Sequence, residues 1–351
     1  MTDITVDFLR KRSLQDETQV PIPAKRARTG ELRKDEEFWY EDGTIELLAG
    51  DVRFRVYKGV LAKHSPVFAD MFSLPQPQSA SSCQVLESQA VHLDDSPEDL
   101  RIVLKAILPP QDRVVVHKKP CLPSYGELSA YARIGHKYQI DYLVDQTLDY
   151  LKHHFTNDFD TWRNRMAFVP RKFETYHAIG VVNIARLVNC DSILPTALAV
   201  CCTLDAKYLV RGFKCQDGAG EKLSQDDLIR CLRAKQTLMQ ESSRAIINAF
   251  SPFTSPGCRT AASCHDALQD ALRGLAGDLD MIADDHPFFS WVYFARRLEG
   301  YAICALCKER LKERVQAEQR LIWNSLPDIL GLTIKGWPEL SGSPQVDGAR
   351  L

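Results

Sequence analysis

The chain has 351 residues, with 44 lysines and arginines against 46 aspartates and glutamates, a formal net charge of −2; 45% of residues are hydrophobic and 26% charged. This balance is that of a globular chain, so collagen-like, wholly disordered and membrane-spanning readings fall away, and no overall charge draws the molecule to nucleic acid or to anionic lipid. At roughly 100–200 residues per domain the length suggests two domains, and eleven cysteines without an apolar leader in Met1–Arg12 suggest reduced thiols in nucleus or cytoplasm rather than disulfides.

Residues 1–37 read as a disordered tail, poor in aliphatics and without a period of 2 or 3.6. Within it Lys11-Arg12 and Lys25-Arg26-Ala27-Arg28 are separated by twelve residues, the spacing of a bipartite nuclear import signal. Lys11, Arg12, Lys25, Arg26 and Arg28 are therefore candidate contacts for an import receptor. Order is expected from Phe38. Thr44–Leu47 and Arg53–Val56 alternate polar and apolar on either side of Gly50-Asp51, which predicts a β-hairpin with one buried face. Val60–Ala62 reads as a short helix, and Ser65-Pro66 starts another as N-cap and first residue, with Val67, Phe68, Met71 and Phe72 on its buried stripe.

Pro75–Ser88 is a Ser/Gln/Pro-rich loop. A third strand follows at Val91–Leu93. Ser96-Pro97-Glu98-Asp99 then opens a helix whose Leu100, Val103, Leu104 and Ile107 stand at i, i+3, i+4 and i+7. Beyond Pro109-Pro110 and a polar loop over 111–123, two helices are expected, carrying Leu128, Ala132 and Gly135, and then Leu143 or Val144, Leu148, Leu151 and Phe155.

The run Asp51-Val52-Arg53-Phe54-Arg55-Val56-Tyr57-Lys58-Gly59-Val60-Leu61-Ala62-Lys63-His64-Ser65-Pro66 resembles the opening strand and first helices of a BTB/POZ domain. Gly135-His136-Lys137-Tyr138-Gln139-Ile140-Asp141-Tyr142-Leu143 is similar to that family's paired last helices. The wording of residues 38–155 looks most like the BTB/POZ proteins abundant in mushroom-type fungi. Many members have His-Lys where Tyr57-Lys58 stands here, and the 75–90 loop is longer than in compact members. The resemblance implies an α+β fold and a protein–protein interaction module, commonly a homodimer, that serves transcription complexes or cullin-type ubiquitin ligases.

From residue 156 the patterns are helical, so a mainly α-helical domain is expected over 156–337, with a flexible tail at 338–351. Ala178, Val181, Val182, Ala185 and Leu187 form one stripe and Ile193–Val200 another; Ser224 caps a helix with Leu228, Cys231 and Leu232. Gly212–Gly218 is either a small hairpin or a loop. Trp291, Trp323 and Trp337 lie among apolar residues and are expected to anchor this half.

The cysteines separate into two classes. Cys190, Cys201, Cys202 and Cys231 sit among aliphatics at helical spacing, as small buried residues do. Cys258 and Cys264 flank a turn-rich segment, and 39 residues later comes Cys304-Ala305-Leu306-Cys307. Two close pairs supply the four soft donors of a structural zinc site, with His265 as a spare candidate. A redox Cys-x-x-Cys fits less well, because Phe294–Tyr301 reads as continuing helix where such a motif follows a strand.

The chain has no Gly-x-x-x-x-Gly-Lys phosphate loop, Gly-x-Ser-x-Gly elbow or His-Glu-x-x-His pair. The expected function is therefore a non-enzymatic scaffold or adaptor. The alternatives are a nuclear transcription co-regulator that does not itself read DNA, and a thiol-dependent enzyme using Cys304 or Cys307.

Overall fold

The computed structural model describes residues 32–74, 90–108, 122–165, 167–215, 218–253, 255–277, 282–283, 285–288 and 291–338. The basic clusters at 11–28, most of both expected loops and the tail after Pro338 lie outside the described residues. The amino-terminal half is built on a mixed sheet of β1 (Arg33–Trp39), β2 (Ile45–Ala49), β3 (Val52–Val56) and β4 (Ala90–Leu93), in the spatial order β1-β3-β2-β4. β2 and β3 form the expected antiparallel hairpin, with Leu47 opposite Phe54. β1 joins β3 and β4 joins β2, both in parallel, which leaves β1 and β4 as the sheet edges among the described residues.

Strand β1 thus starts at Arg33, five residues before the expected Phe38. Of the seven residues of β1 only Asp35 and Phe38 are buried, so the strand carries no apolar alternation to read. What holds it is polar: one Asp35 carboxylate oxygen accepts the backbone N–H groups of Glu37 and Phe38, and the other accepts from Arg101 at 2.9 Å.

Five helices cover the sheet: α1 (Lys58–His64), α2 (Pro66–Ser73), α3 (Pro97–Ile107), α4 (Tyr125–Lys137) and α5 (Asp141–His154). Ser65, Ser96 and Ser124 cap α2, α3 and α4, each accepting a backbone N–H three residues on. The Ser65 hydroxyl also donates to the Tyr138 carbonyl at 2.5 Å, tying α2 to the end of α4. All four stripe residues predicted for α3 are buried, and with Phe54, Leu61, Phe68 and Ile134 they belong to the first core. Phe68 stacks on Tyr138 at 4.4 Å; a buried ring of this size contributes about 1.5–3 kcal/mol by leaving water.

The opposite faces of α4 and α5 belong to a second core. Leu128, Ala132, Leu151 and Phe155 pack with α6 (Phe159–Arg163), α7 (Ala178–Leu187), α8 (Leu194–Cys202), α9 (Ala206–Arg211) and the first half of α10 (Gln225–Phe250). Two expected stripe residues are instead exposed, Leu187 and Leu232. Leu187 is the last residue of α7, beyond the stretch Ala178–Ala185 that is packed on nearly all sides. In α10 the buried line runs Asp227, Cys231, Ala234, Leu238. A charged residue therefore holds the position that would have marked the phase, paired there with Arg186 at 2.7 Å and Arg230 at 3.5 Å. The Gly212–Gly218 segment belongs to a two-stranded ribbon, β5 (Phe213–Lys214) with β6 (Gly220–Glu221).

A third core joins the end of α10 to α11 (Ala261–Ala276), α12 (Trp291–Arg297) and the start of α13 (Ala305–Asn324). α10 and α13 run antiparallel: Arg314 donates to the Ala249 carbonyl near one end, while Arg230 reaches the Gly331 carbonyl, beyond α14 (Leu326–Ile329), near the other. Trp323 and Trp337, stacked at 4.9 Å, are buried in the second core, and Trp291 packs against the third. Among the described residues no helix is long and apolar enough to cross a membrane.

Candidate functional site

The four cysteines singled out from the sequence converge although the two pairs lie far apart along the chain. The sulfurs of Cys258, Cys264, Cys304 and Cys307 all lie within 4.8 Å of one another, with Cys264 and Cys307 buried and the other two half-buried. Cys258 Sγ is 3.8 Å from Cys264 Sγ and 3.7 Å from Cys304 Sγ, distances that exclude S–S bonds of about 2.05 Å. His265 does not belong to the group.

Local sequence explains each placement. Ser255-Pro256-Gly257-Cys258 closes a turn through the Cys258 N–H to the Ser255 carbonyl at 3.0 Å, with Gly257 at φ +80°. Proline and then glycine at the central positions are what a type II turn requires. The Ser255 hydroxyl donates to the Leu306 carbonyl, fastening the turn to α13. Cys264 stands in the first turn of α11. Cys304 is the N-cap of α13 and Cys307 its third residue. This corrects the expectation of continuous helix into Tyr301: α12 ends at Arg297, and the chain turns through Leu298–Ile303 before the new helix. The Cys-x-x-Cys pair does open a helix, as redox motifs do, but after a turn, and Cys304 faces Cys258 and Cys264 as well as Cys307.

Neither α11 nor α13 has a side-chain cap or an acidic residue in its first turn. Both helix starts therefore present unshielded positive ends next to the sulfurs. Cys264 Sγ accepts the Cys304 backbone N–H at 3.4 Å and lies 3.3 Å from the Thr260 hydroxyl. These contacts, the Thr260 one first, lower the Cys264 thiol to about 7. Among the described residues this is the one group of three or more His, Cys, Asp or Glu that could hold a metal ion. Cys190, Cys201, Cys202 and Cys231 are buried as expected, the last three between α8 and α10. None of the nine cysteines among the described residues forms a disulfide.

A second polar constellation lies where α4 meets the ribbon, and sequence reading gave no sign of it. The buried carboxylate of Glu221 accepts from the Tyr125 hydroxyl at 2.5 Å, from Arg133, from Asn183 at 3.0 Å and from the Cys215 thiol at 3.8 Å. Burial, reinforced by the Glu221 charge, pushes the Tyr125 phenol well above its usual range. The His177 ring stacks on Tyr125 at 4.5 Å and accepts the Glu174 backbone N–H, which requires neutral imidazole; burial brings its pKa down to about 4. The adjoining cleft of about 530 Å³ has both charge signs in its lining, and its buried carboxylate already accepts four hydrogen bonds. This constellation joins the two halves of the chain.

A small mixed sheet, whose edges among the described residues are β1 and β4, covered by helices whose outer faces continue into a helical region, defines the amino-terminal half as an α+β domain. Residues 36–155, about a third of the chain, match the BTB/POZ domain. BTB/POZ domains mediate protein–protein interaction. No curated protein matches the chain.

Proposed function

We propose that the protein is a non-enzymatic scaffold or adaptor that pairs with a second copy of itself through its BTB/POZ domain and presents its helical region to a protein partner. The observation that carries this reading is the family match over residues 36–155. Among the described residues β1 and β4 are the sheet edges, which supports it, because strand addition takes place at a sheet edge. The partner classes that suit such an adaptor are a cullin-type ligase or a transcription complex. Sedimentation of the full chain over a wide concentration range is expected to show a monomer–dimer equilibrium; a strictly concentration-independent monomer overturns the pairing. Affinity capture followed by mass spectrometry identifies the partner.

The nuclear co-regulator reading is favoured by the two basic clusters at Lys11-Arg12 and Lys25–Arg28. Replacing Lys25, Arg26 and Arg28 with alanine is expected to shift a tagged chain from nucleus to cytoplasm, and an unchanged distribution refutes the import role. The thiol cluster enters this picture as a structural centre, not as a nucleophile, and zinc is the ion that a set of four sulfur donors selects.

A further inference from the structure

We infer that the third core is a metal-dependent folding unit, built around one zinc ion held by the thiolates of Cys258, Cys264, Cys304 and Cys307. The inference rests on the structural-zinc reading of the cluster and adds what the ion does for the chain.

The sulfur geometry is the first support. A zinc–sulfur bond of about 2.3 Å in a tetrahedron sets neighbouring sulfurs about 3.8 Å apart. The Cys258–Cys264 and Cys258–Cys304 separations are 3.8 and 3.7 Å, and the remaining pairs lie within 4.8 Å. Binding is balanced by proton release: Zn²⁺ displaces the four thiol protons to solvent and leaves a site of net charge −2. Two features of the protein offset that charge. The uncapped starts of the 16-residue α11 and the 20-residue α13 both lie at the cluster, each equivalent to about half a positive charge. The Cys304 N–H and the Thr260 hydroxyl lie within hydrogen-bonding reach of Cys264 Sγ, as outer partners of metal ligands do.

The second support is where the cluster sits. Cys264 and Cys307 belong to the third core, whose other buried members are Ile246, Ala249, Phe250, Leu268, Ala271, Leu275, Phe294, Leu298, Ile303, Leu311 and Val315. Among the described residues this is the smallest of the three cores, drawn from four helices and the turn at Leu298–Ile303, and small cores depend on a staple. The cysteines lie where a staple acts: they join the turn after α10, the start of α11 and the start of α13. The first and second cores contain none of the four.

The test uses the full-length protein from zinc-replete expression. Three results are expected: roughly one zinc per chain; after replacement by cobalt(II), the visible bands of a tetrahedral thiolate site; and, on chelation, hydrogen exchange faster by at least about tenfold in residues 246–315, with the BTB/POZ strands and α7–α8 unchanged. Cys304→Ser and Cys307→Ser are expected to lose the metal and reproduce that local opening, whereas Cys190→Ser keeps both. Protein without zinc and without a cobalt spectrum overturns the site and the inference together. Stoichiometric zinc whose removal leaves exchange unchanged, or opens the whole chain, overturns the folding unit and leaves the metal site standing.

Discussion

Glu221 shows how one residue decides the join between the two halves. Its carboxylate is buried, yet it accepts from Tyr125 and Arg133 on α4 and from Asn183 on α7, so its desolvation is offset by partners from both sides. Glu221→Gln keeps the shape, removes the charge and leaves Arg133 and the Tyr125 hydroxyl facing an amide. Because Arg133 remains partly open to water, the expected loss is about 2–3 kcal/mol of unfolding free energy, below the upper range for a broken buried pair. Urea denaturation measures it; a change under about 0.5 kcal/mol refutes the role of the tie.

At the scale of elements, the caps and the close contacts do different work. Ser65, Ser96 and Ser124 set where helices begin, and their signals are local. The contact of α7 with α4 is not local: a Cβ placed on Gly180 comes within 1.8 Å of the Tyr125 hydroxyl oxygen, so glycine here makes room for the ring that holds Glu221. Gly180→Ala must displace Tyr125, and the expected cost is about 1–3 kcal/mol, or more if the Glu221 hydrogen bond is lost with it. Combined with Glu221→Gln the two losses are expected to be less than additive, because both act through Tyr125; full additivity in a double-mutant cycle argues against that coupling.

The whole molecule carries three cores linked by shared helices: α4 and α5 serve the first and second, α10 and α13 the second and third. Its stability has a predictable response to acid. Burial lowers His154, His177 and His286 to about 4 in the folded chain, against about 6.5 unfolded. The unfolded state therefore binds more protons between these values. Stability from these groups is complete above pH about 6.5 and falls as pH drops toward about 4, with each ring contributing up to about 1.4 kcal/mol per pH unit. Unfolding free energies measured from pH 7.5 down to pH 5 are expected to decline, and His177→Gln to make the decline shallower; an unchanged slope in that variant refutes the assignment.

Much of this was legible in the sequence because the signals are short-range. The hairpin at Gly50-Asp51, the serine caps and the Leu100–Ile107 stripe depend on spacing within a turn or two, and the four cysteines declared themselves by donor type. Hidden from it were β1, a charged edge strand defined by its partner β3, and the Asp227 position in α10, where an ion pair replaces the apolar residue that would mark the phase. The Glu221 tie was hidden too, since its members lie up to 96 residues apart. The sequence by itself determined the β2–β3 hairpin and the capped helices that follow it, which residue types are available as ligands, and the BTB/POZ resemblance. Only the tertiary structure decided that Cys258, Cys264, Cys304 and Cys307 meet and that a buried carboxylate joins the two halves. Contacts across such separations depend on how the helices pack, and no local periodicity encodes that.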